Sequence, residues 1–176
     1  ISESFRYGIF QTISIITTTG FTITELDNMG ILLPVLIMLL AFVGACSGSV
    51  GGGIKAWRIN ILIRLAFDNI TKIMHPTAVS TIKFNGEKIE QKQIESVFSF
   101  VAIYVLIAIL FLLALMLQDI DFYSAFSAVS ATLNNLGPGL GQFSDNYSSL
   151  EPAGKITLSL AMIIGRLEIF GFLLLL

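Results

Sequence analysis

Charge is what this chain has least of. Asp, Glu, Lys and Arg make up 12% of its 176 residues, where a soluble domain carries about 25%. Mean hydropathy is +0.85 and 55% of the residues are hydrophobic. That excludes an ordinary soluble domain and points to a chain embedded in a lipid bilayer. A net charge of -2 argues against nucleic acid as a partner. The one cysteine, Cys46, excludes an intrachain disulfide and is uninformative about redox compartment. An initiator Met and a signal-peptide pattern are both missing at the start. The last residues, IFGFLLLL, stop inside an apolar run, so we expect a piece of a longer protein. A phosphate-binding loop is also missing. That motif needs Gly-Lys-Ser/Thr, whereas Ile54 and Ala56 flank Lys55.

Uncharged sequence is what the chain has in abundance. Between Asp27 and Lys55 lie 27 uncharged residues, and Ser96 to Gln118 is an uncharged run of 23. Ile156 to Leu176 is interrupted only by Arg166 and Glu168. Roughly 20 apolar residues cross a bilayer as a helix, so these three stretches are expected spans. Tyr7 to Thr24 and Phe122 to Ser144 are different. Both begin helix-like and end in Thr, Asn, Gly and Pro. Their first parts, Phe5 to Ile16 and Phe122 to Leu133, predict helices of about three turns, too short to span.

Residues 55–95 hold seven Lys/Arg against four Asp/Glu, residues 1–27 one against three, and residues 119–155 one against four. The positive-inside rule places 55–95 in the cytoplasm and the other two segments outside. Within 55–95, STIKFNGEKIE predicts two short strands around Asn85-Gly86, a favoured hairpin turn. Trp57, Arg58 and Arg64 read as interfacial anchors. Pro34 and Pro152 sit near expected helix starts. His75 reads as solvated and Cys46 as a small packing residue.

A shift of 117 residues lays Phe5 on Phe122, Gly20 on Gly137, and TTTGF (Thr17 to Phe21) on NNLGP (Asn134 to Pro138). Few identities result, but the layout repeats: acidic edge, short apolar helix, polar-glycine hinge, acidic linker, long span. The expected fold is an all-α polytopic membrane protein with repeated helix–pore loop–helix units around a central ion pathway and a small cytoplasmic β-hairpin. Repeats of the same orientation imply an axis along the membrane normal. The expected organisation is one repeat lacking its first span over 1–73, a cytoplasmic connection over 74–93, and a complete repeat over 94–176.

Non-helical backbone survives at membrane depth only where protein or water surrounds it. The two hinges are therefore expected to line an aqueous path. The candidate filter residues are Thr17, Thr18, Thr19, Gly20 and Phe21, with Asn134, Asn135, Leu136, Gly137 and Pro138. Extended, glycine-permitted backbone turns carbonyl oxygens toward the path, where they replace a cation's hydration shell. The C-terminus of the preceding short helix adds about half a negative charge of dipole. Thr18-Thr19-Gly20-Phe21 also fits the potassium-channel pattern Thr-x-Gly-aromatic. The alternative for both hinges is a Thr/Gly-rich helix-packing interface.

GACSGSVGGGIKAWR, Gly44 to Arg58, has five glycines in its first ten residues. A helix reaching Val43 is expected to break there. A flexible intramembrane gating loop below the filter is one reading, carried by Gly44, Cys46, Ser47, Gly48, Ser49, Gly51, Gly52, Gly53 and Lys55. A kinked, small-residue helix is the other. Arg166 lies inside the last expected span, where a charge costs about 2.5–3.5 kcal/mol on insertion scales. It is expected to face a cavity as a barrier to cations or to hold the glycine loop. The alternative is a snorkelling or assembly role. Glu168, two residues on, points to another helix face.

Together and in order, TTTGFT, GACSGSVGGGIKAWR, ATLNNLGPGLG and GRLEIFG resemble the Trk/Ktr/HKT potassium-transporter superfamily, closest to its bacterial TrkH branch. The resemblance covers nearly the whole chain, as the third and fourth of four pore-loop repeats. It implies potassium uptake across the bacterial inner membrane by a four-repeat subunit that dimerises. It implies K+ bound in a filter from both hinges, with no organic cofactor and no covalent chemistry. The glycine-rich break becomes the gating loop and Arg166 the basic residue facing it. A cytosolic TrkA-type ring of nucleotide-binding regulatory subunits would bind near 55–95. Asn134-Asn135-Leu136 stands where the third repeat has three threonines, a departure that removes hydroxyls and favours TrkH over Ktr. Two other classes stay open: an ion-coupled secondary transporter with re-entrant hairpins, and a non-conducting membrane scaffold.

Overall fold

The structure is a computed structural model that describes residues 2–22, 32–44, 52–75, 83–84, 87–144 and 146–167. Their elements, in chain order, are α1 (Ser2–Ile16), α2 (Leu32–Val43), α3 (Ala56–Met74), β1 (Lys83–Phe84), β2 (Glu87–Lys88), α4 (Gln91–Met116), α5 (Phe122–Leu133), a 3₁₀ turn (Gly141–Phe143) and α6 (Pro152–Arg166). The two strands pair antiparallel, Lys83 with Lys88 and Phe84 with Glu87. Asn85-Gly86, Cys46, Ser47, Gly48, Ser49, Gly51 and Glu168 lie outside the described residues.

Among the described residues, α4 is the one helix long and apolar enough to cross a membrane. It starts at Gln91, ahead of the expected Ser96, because a capping box sets its first turn. Glu90 caps the Gln93 amide while the Gln93 side chain returns to the Glu90 amide. Ile94 and Val97 then pack on Ile61 of α3. Phe98, Val105, Leu106, Ile109, Leu110 and Leu113 stay exposed along one side, an apolar stripe that only lipid or other apolar protein covers.

The other two expected spans fall only partly among the described residues. α2 covers Leu32–Val43 of the stretch between Asp27 and Lys55, of which residues 28–31 and 45–51 lie outside the described residues. The break after Val43 falls where expected, at Gly44, whose φ of +66° ends the helix. α6 starts at Pro152 rather than Ile156, since Pro is pre-organised for a first turn. It ends at Arg166, and residues 168–176 lie outside the described residues.

α5 is the pivot. It has 12 residues, about 18 Å at 1.5 Å per residue, against a hydrocarbon core of about 30 Å. Yet Ser124, Ala125 and every residue from Ser127 to Leu133 are buried. α2, α4 and α6 pack around it. Ile15, Ile37, Met38, Ala41 and Ala131 join α1, α2 and α5 in one core. Leu115, Ala125, Ala128, Val129 and Leu158 join α4, α5 and α6 in another. α5 is thus a short apolar helix wrapped in protein, too short to cross that core by itself.

Candidate functional site

α1 and α5 end in the same way. The Thr18 amide donates to Ile15 O at 3.1 Å and the Thr19 amide to Ser14 O at 3.0 Å. Thr18 sits at φ +55°. In α5 the Asn135 amide donates to Thr132 O at 3.0 Å and Leu136 to Ala131 O at 2.7 Å, with Asn135 at φ +56°. Each is a Schellman cap built without the usual glycine at its left-handed position. Two residues past each start of the cap come Gly20, φ +73°, and Gly137, φ +100°. The matching positions 18 and 135, 19 and 136, 20 and 137 all keep the separation of 117 found in the sequence.

The two loops meet. A Cβ on Gly20 would strike the Leu136 carbonyl oxygen and lie 3.3 Å from Pro138 Cδ. Thr17, Thr19, Phe21 and Gly137 are exposed, Thr18, Gly20, Asn135 and Pro138 are half-buried, and Asn134 and Leu136 are buried. Thr17 Oγ1 donates to Ile13 O at 2.6 Å and Thr19 Oγ1 to Ser14 O at 3.2 Å. A hydroxyl whose proton is committed inward presents lone pairs outward. Ser14 Oγ donates to Phe21 O at 2.7 Å and folds the loop back on its helix. Both helix C-termini add negative dipole at the same place. Carbonyl oxygens, hydroxyl lone pairs and dipole all suit a cation rather than an anion.

The described ends of the glycine-rich segment meet, and Gly52 reaches the second loop. The Ile54 amide donates to Phe42 O at 2.9 Å. A Cβ on Gly44 would stand 2.6 Å from Gly52 O. A Cβ on Gly52 would stand 2.6 Å from Asn134 O, 2.7 Å from its carbonyl carbon and 2.9 Å from its Cα. Lys55 is buried at φ +72°, one residue ahead of α3. Arg166 is exposed on this chain at the C-terminus of α6, where the helix dipole favours a cation. Its neighbour Gly165 presses on the Leu133 carbonyl, with Asn135 Nδ2 3.1 Å from its Cβ position. The structure thus brings both hinges, Gly52 and the Gly165–Arg166 corner to one region.

Supporting residues went unnoticed in the sequence reading. Tyr104 of α4 donates to Asn134 Oδ1 at 2.7 Å, and Asn134 Nδ2 donates to Ser130 O at 2.8 Å. Ser127 Oγ accepts from the Leu140 amide at 3.0 Å and fixes the returning strand of the loop. Ser130 Oγ donates to Met38 O at 3.2 Å and ties α5 to α2. Two sequence signals pointed there. Ser124, Ser127 and Ser130 recur every third residue of an apolar helix, and a lone phenol in the α4 span needs a partner. Tyr147 donates to Gly137 O at 3.1 Å. Burial pushes its phenol up to about 12, so it stays a donor. At the N-terminus of α5, Asp121 Oδ2 accepts from the Ser124 amide at 2.9 Å and caps the helix. That bond holds its carboxyl below the usual range.

Known proteins share the overall fold. The chain resembles the potassium transporter TrkH from Vibrio parahaemolyticus, whose crystal structure superposes with a TM-score of 0.91 at 42% identity, covering 99% of this chain and 37% of that one. The Trk system potassium uptake protein TrkH of Escherichia coli K12 is 42% identical over 168 residues, 96% of this chain and 35% of the relative. The Trk system potassium uptake protein TrkG of the same strain is 32% identical over 172 residues, 98% of this chain and 36% of the relative. The chain therefore spans little more than a third of the length of these relatives. The TrkH cation transport protein family model matches residues 1–176. This transmembrane chain belongs to the TrkH family of cation transport proteins.

Proposed function

We propose that this chain forms the third and fourth quarters of a potassium-uptake pore in a bacterial inner membrane. The observation that carries the proposal is the meeting of two caps of one geometry, 117 residues apart, at Gly20 and Leu136. Each cap ends a short helix and each turns into a glycine at positive φ. Thr17 to Phe21 and Asn134 to Pro138 are two walls of the filter. Their carbonyl oxygens, joined by the threonine oxygens, replace potassium's water. Two further repeats elsewhere in the protein complete the ring, and the ion moves down its electrochemical gradient.

The glycine-rich segment from Gly44 to Lys55 lies beneath as the gate. Support comes from the pinch at Gly44, Gly52 and Ile54 and from the contact of Gly52 with Asn134. Arg166 supplies a positive charge on the same pathway and disfavours cations until the gate rearranges. Residues 55–95 face the cytoplasm and receive a nucleotide-binding regulatory ring of the TrkA type. The complete subunit pairs as a homodimer. K+ is cargo, and no organic cofactor acts in this chain.

The test is growth of a potassium-uptake-deficient bacterium carrying the full-length protein. Wild type rescues growth at low potassium. Gly20→Ser loses rescue or admits sodium, and Arg166→Ala leaks. Equal growth of all three at equal membrane expression would contradict the filter-and-gate assignment.

A further inference from the structure

A continuous line of contacts runs from the cytoplasmic helix α3 to the second filter loop. The Arg58 guanidinium carbon lies 3.9 Å from the centroid of the Phe100 ring. Phe100 stacks on Tyr104 with centroids 6.1 Å apart and planes at 25°. The Tyr104 hydroxyl donates to Asn134 Oδ1 at 2.7 Å. Phe100 and Tyr104 are each 2% exposed and Asn134 is 0% exposed. Phe42, the last residue but one of α2, meets the Tyr104 ring edge-on at 6.2 Å. Arg58 also donates to Ile54 O at 3.3 Å, on the glycine-rich segment.

We propose that Tyr104 is a positioning residue that sets the ion selectivity of the second loop, and that Arg58 and Phe100 make this position depend on α3. This rests on the filter reading above. Asn134 is where the influences converge. Its side chain is held at both ends, by Tyr104 and by the Ser130 carbonyl. Its backbone is covered by Gly52. Its peptide group is the first of the loop, so a rotation there re-aims the Asn135 and Leu136 carbonyls that follow. The phenol is the sole described side-chain donor to Asn134 Oδ1. Without it a buried acceptor is left unpaired, and the side chain turns to find water or another donor.

Arg58 reaches the same point through stiff parts. Two aromatic rings in close-packed surroundings have few ways to move, so a shift of the guanidinium is passed on as a tilt of Phe100 and then of Tyr104. A spatial line of residues is not by itself coupling, and the physical warrant is an interaction energy between its ends. α3 begins one residue after Lys55, so a push on α3 from the cytoplasm reaches both the glycine-rich segment and, by this line, the filter.

The experiment uses the full-length protein in proteoliposomes, with rubidium and sodium influx measured on one preparation. The ratio of the two fluxes does not depend on how many molecules are folded or open. Tyr104→Phe keeps the ring and removes the hydroxyl. The expected result is a rubidium-to-sodium ratio about tenfold lower than wild type. Arg58→Ala, at the far end, lowers the ratio in the same direction, about threefold. The double variant matches Tyr104→Phe alone, because the signal from Arg58 has lost its last link. A Tyr104→Phe ratio within twofold of wild type overturns the proposal. So does a double variant whose effects multiply. If Tyr104→Phe does not fold, an unchanged ratio in Arg58→Ala overturns it. Wild type with no preference for rubidium refutes the filter reading itself, which is a different failure.

Discussion

Gly52→Ala isolates a single physical effect. Gly52 needs no left-handed conformation, unlike Gly44 and Gly53 at φ +66° and +89°. Its added methyl instead meets three backbone atoms of Asn134 between 2.6 and 2.9 Å away. No flexible side chain is available to step aside, so the glycine-rich segment must move off the loop by several tenths of an ångström. Overpacking of this kind costs about 1–3 kcal/mol. If the segment is a gate that rests against Asn134 when closed, opening relieves that overlap. The open-to-closed ratio then rises by roughly 5- to 150-fold. The assay is rubidium influx into proteoliposomes holding the full-length protein and no other protein. The expected result is basal flux raised by at least fivefold, with rubidium still preferred over sodium. Unchanged or lower flux from well-folded protein would refute the reasoning, because the contact would then be passive packing.

Gly20→Ala adds a left-handed penalty of about 1–2 kcal/mol to a collision with the Leu136 carbonyl. It should lower the melting temperature of the full-length protein and reduce its rubidium-over-sodium preference. Gly165→Ala drives a methyl into the Leu133 carbonyl and should cost about 1–3 kcal/mol, read by thermal unfolding in detergent. Asp121→Ala removes the cap on α5 and should cost about 1 kcal/mol at neutral pH. The Asp121 carboxyl is held below its usual range by the Ser124 amide. Its contribution is therefore complete above the unfolded value near ~4 and disappears as pH falls through the lower folded value. The gap in melting temperature between wild type and Asp121→Ala should close on acidification below that point.

Several features were legible in the sequence because they are local. Uncharged runs marked where lipid or protein must cover the chain. The switch from apolar residues to Thr-Gly and Asn-Asn-Leu-Gly marked the ends of α1 at Ile16 and α5 at Leu133. The glycines after Val43 marked the break in α2. What was not legible depends on partners distant in sequence. Asn134 reads as a loop residue open to the pathway, but its side chain is buried between Tyr104 and Ser130. Only packing reveals a pair 30 residues apart. The three threonines read as equivalent, but Thr17 and Thr19 turn their protons back to Ile13 and Ser14. The starts of α4 and α6 came earlier than hydropathy suggests. A capping box and a proline act on backbone geometry and ignore where the charges stop.

The central claim is that both hinges hold one cation between them. Crystals of the full-length protein grown in rubidium, with anomalous scattering recorded, test it most directly. The account predicts a rubidium peak flanked by carbonyl oxygens of Thr17 to Phe21 on one side and of Asn134 to Pro138 on the other, lost when potassium is returned. Rubidium peaks confined to other parts of the protein, with none between these two loops, would contradict it.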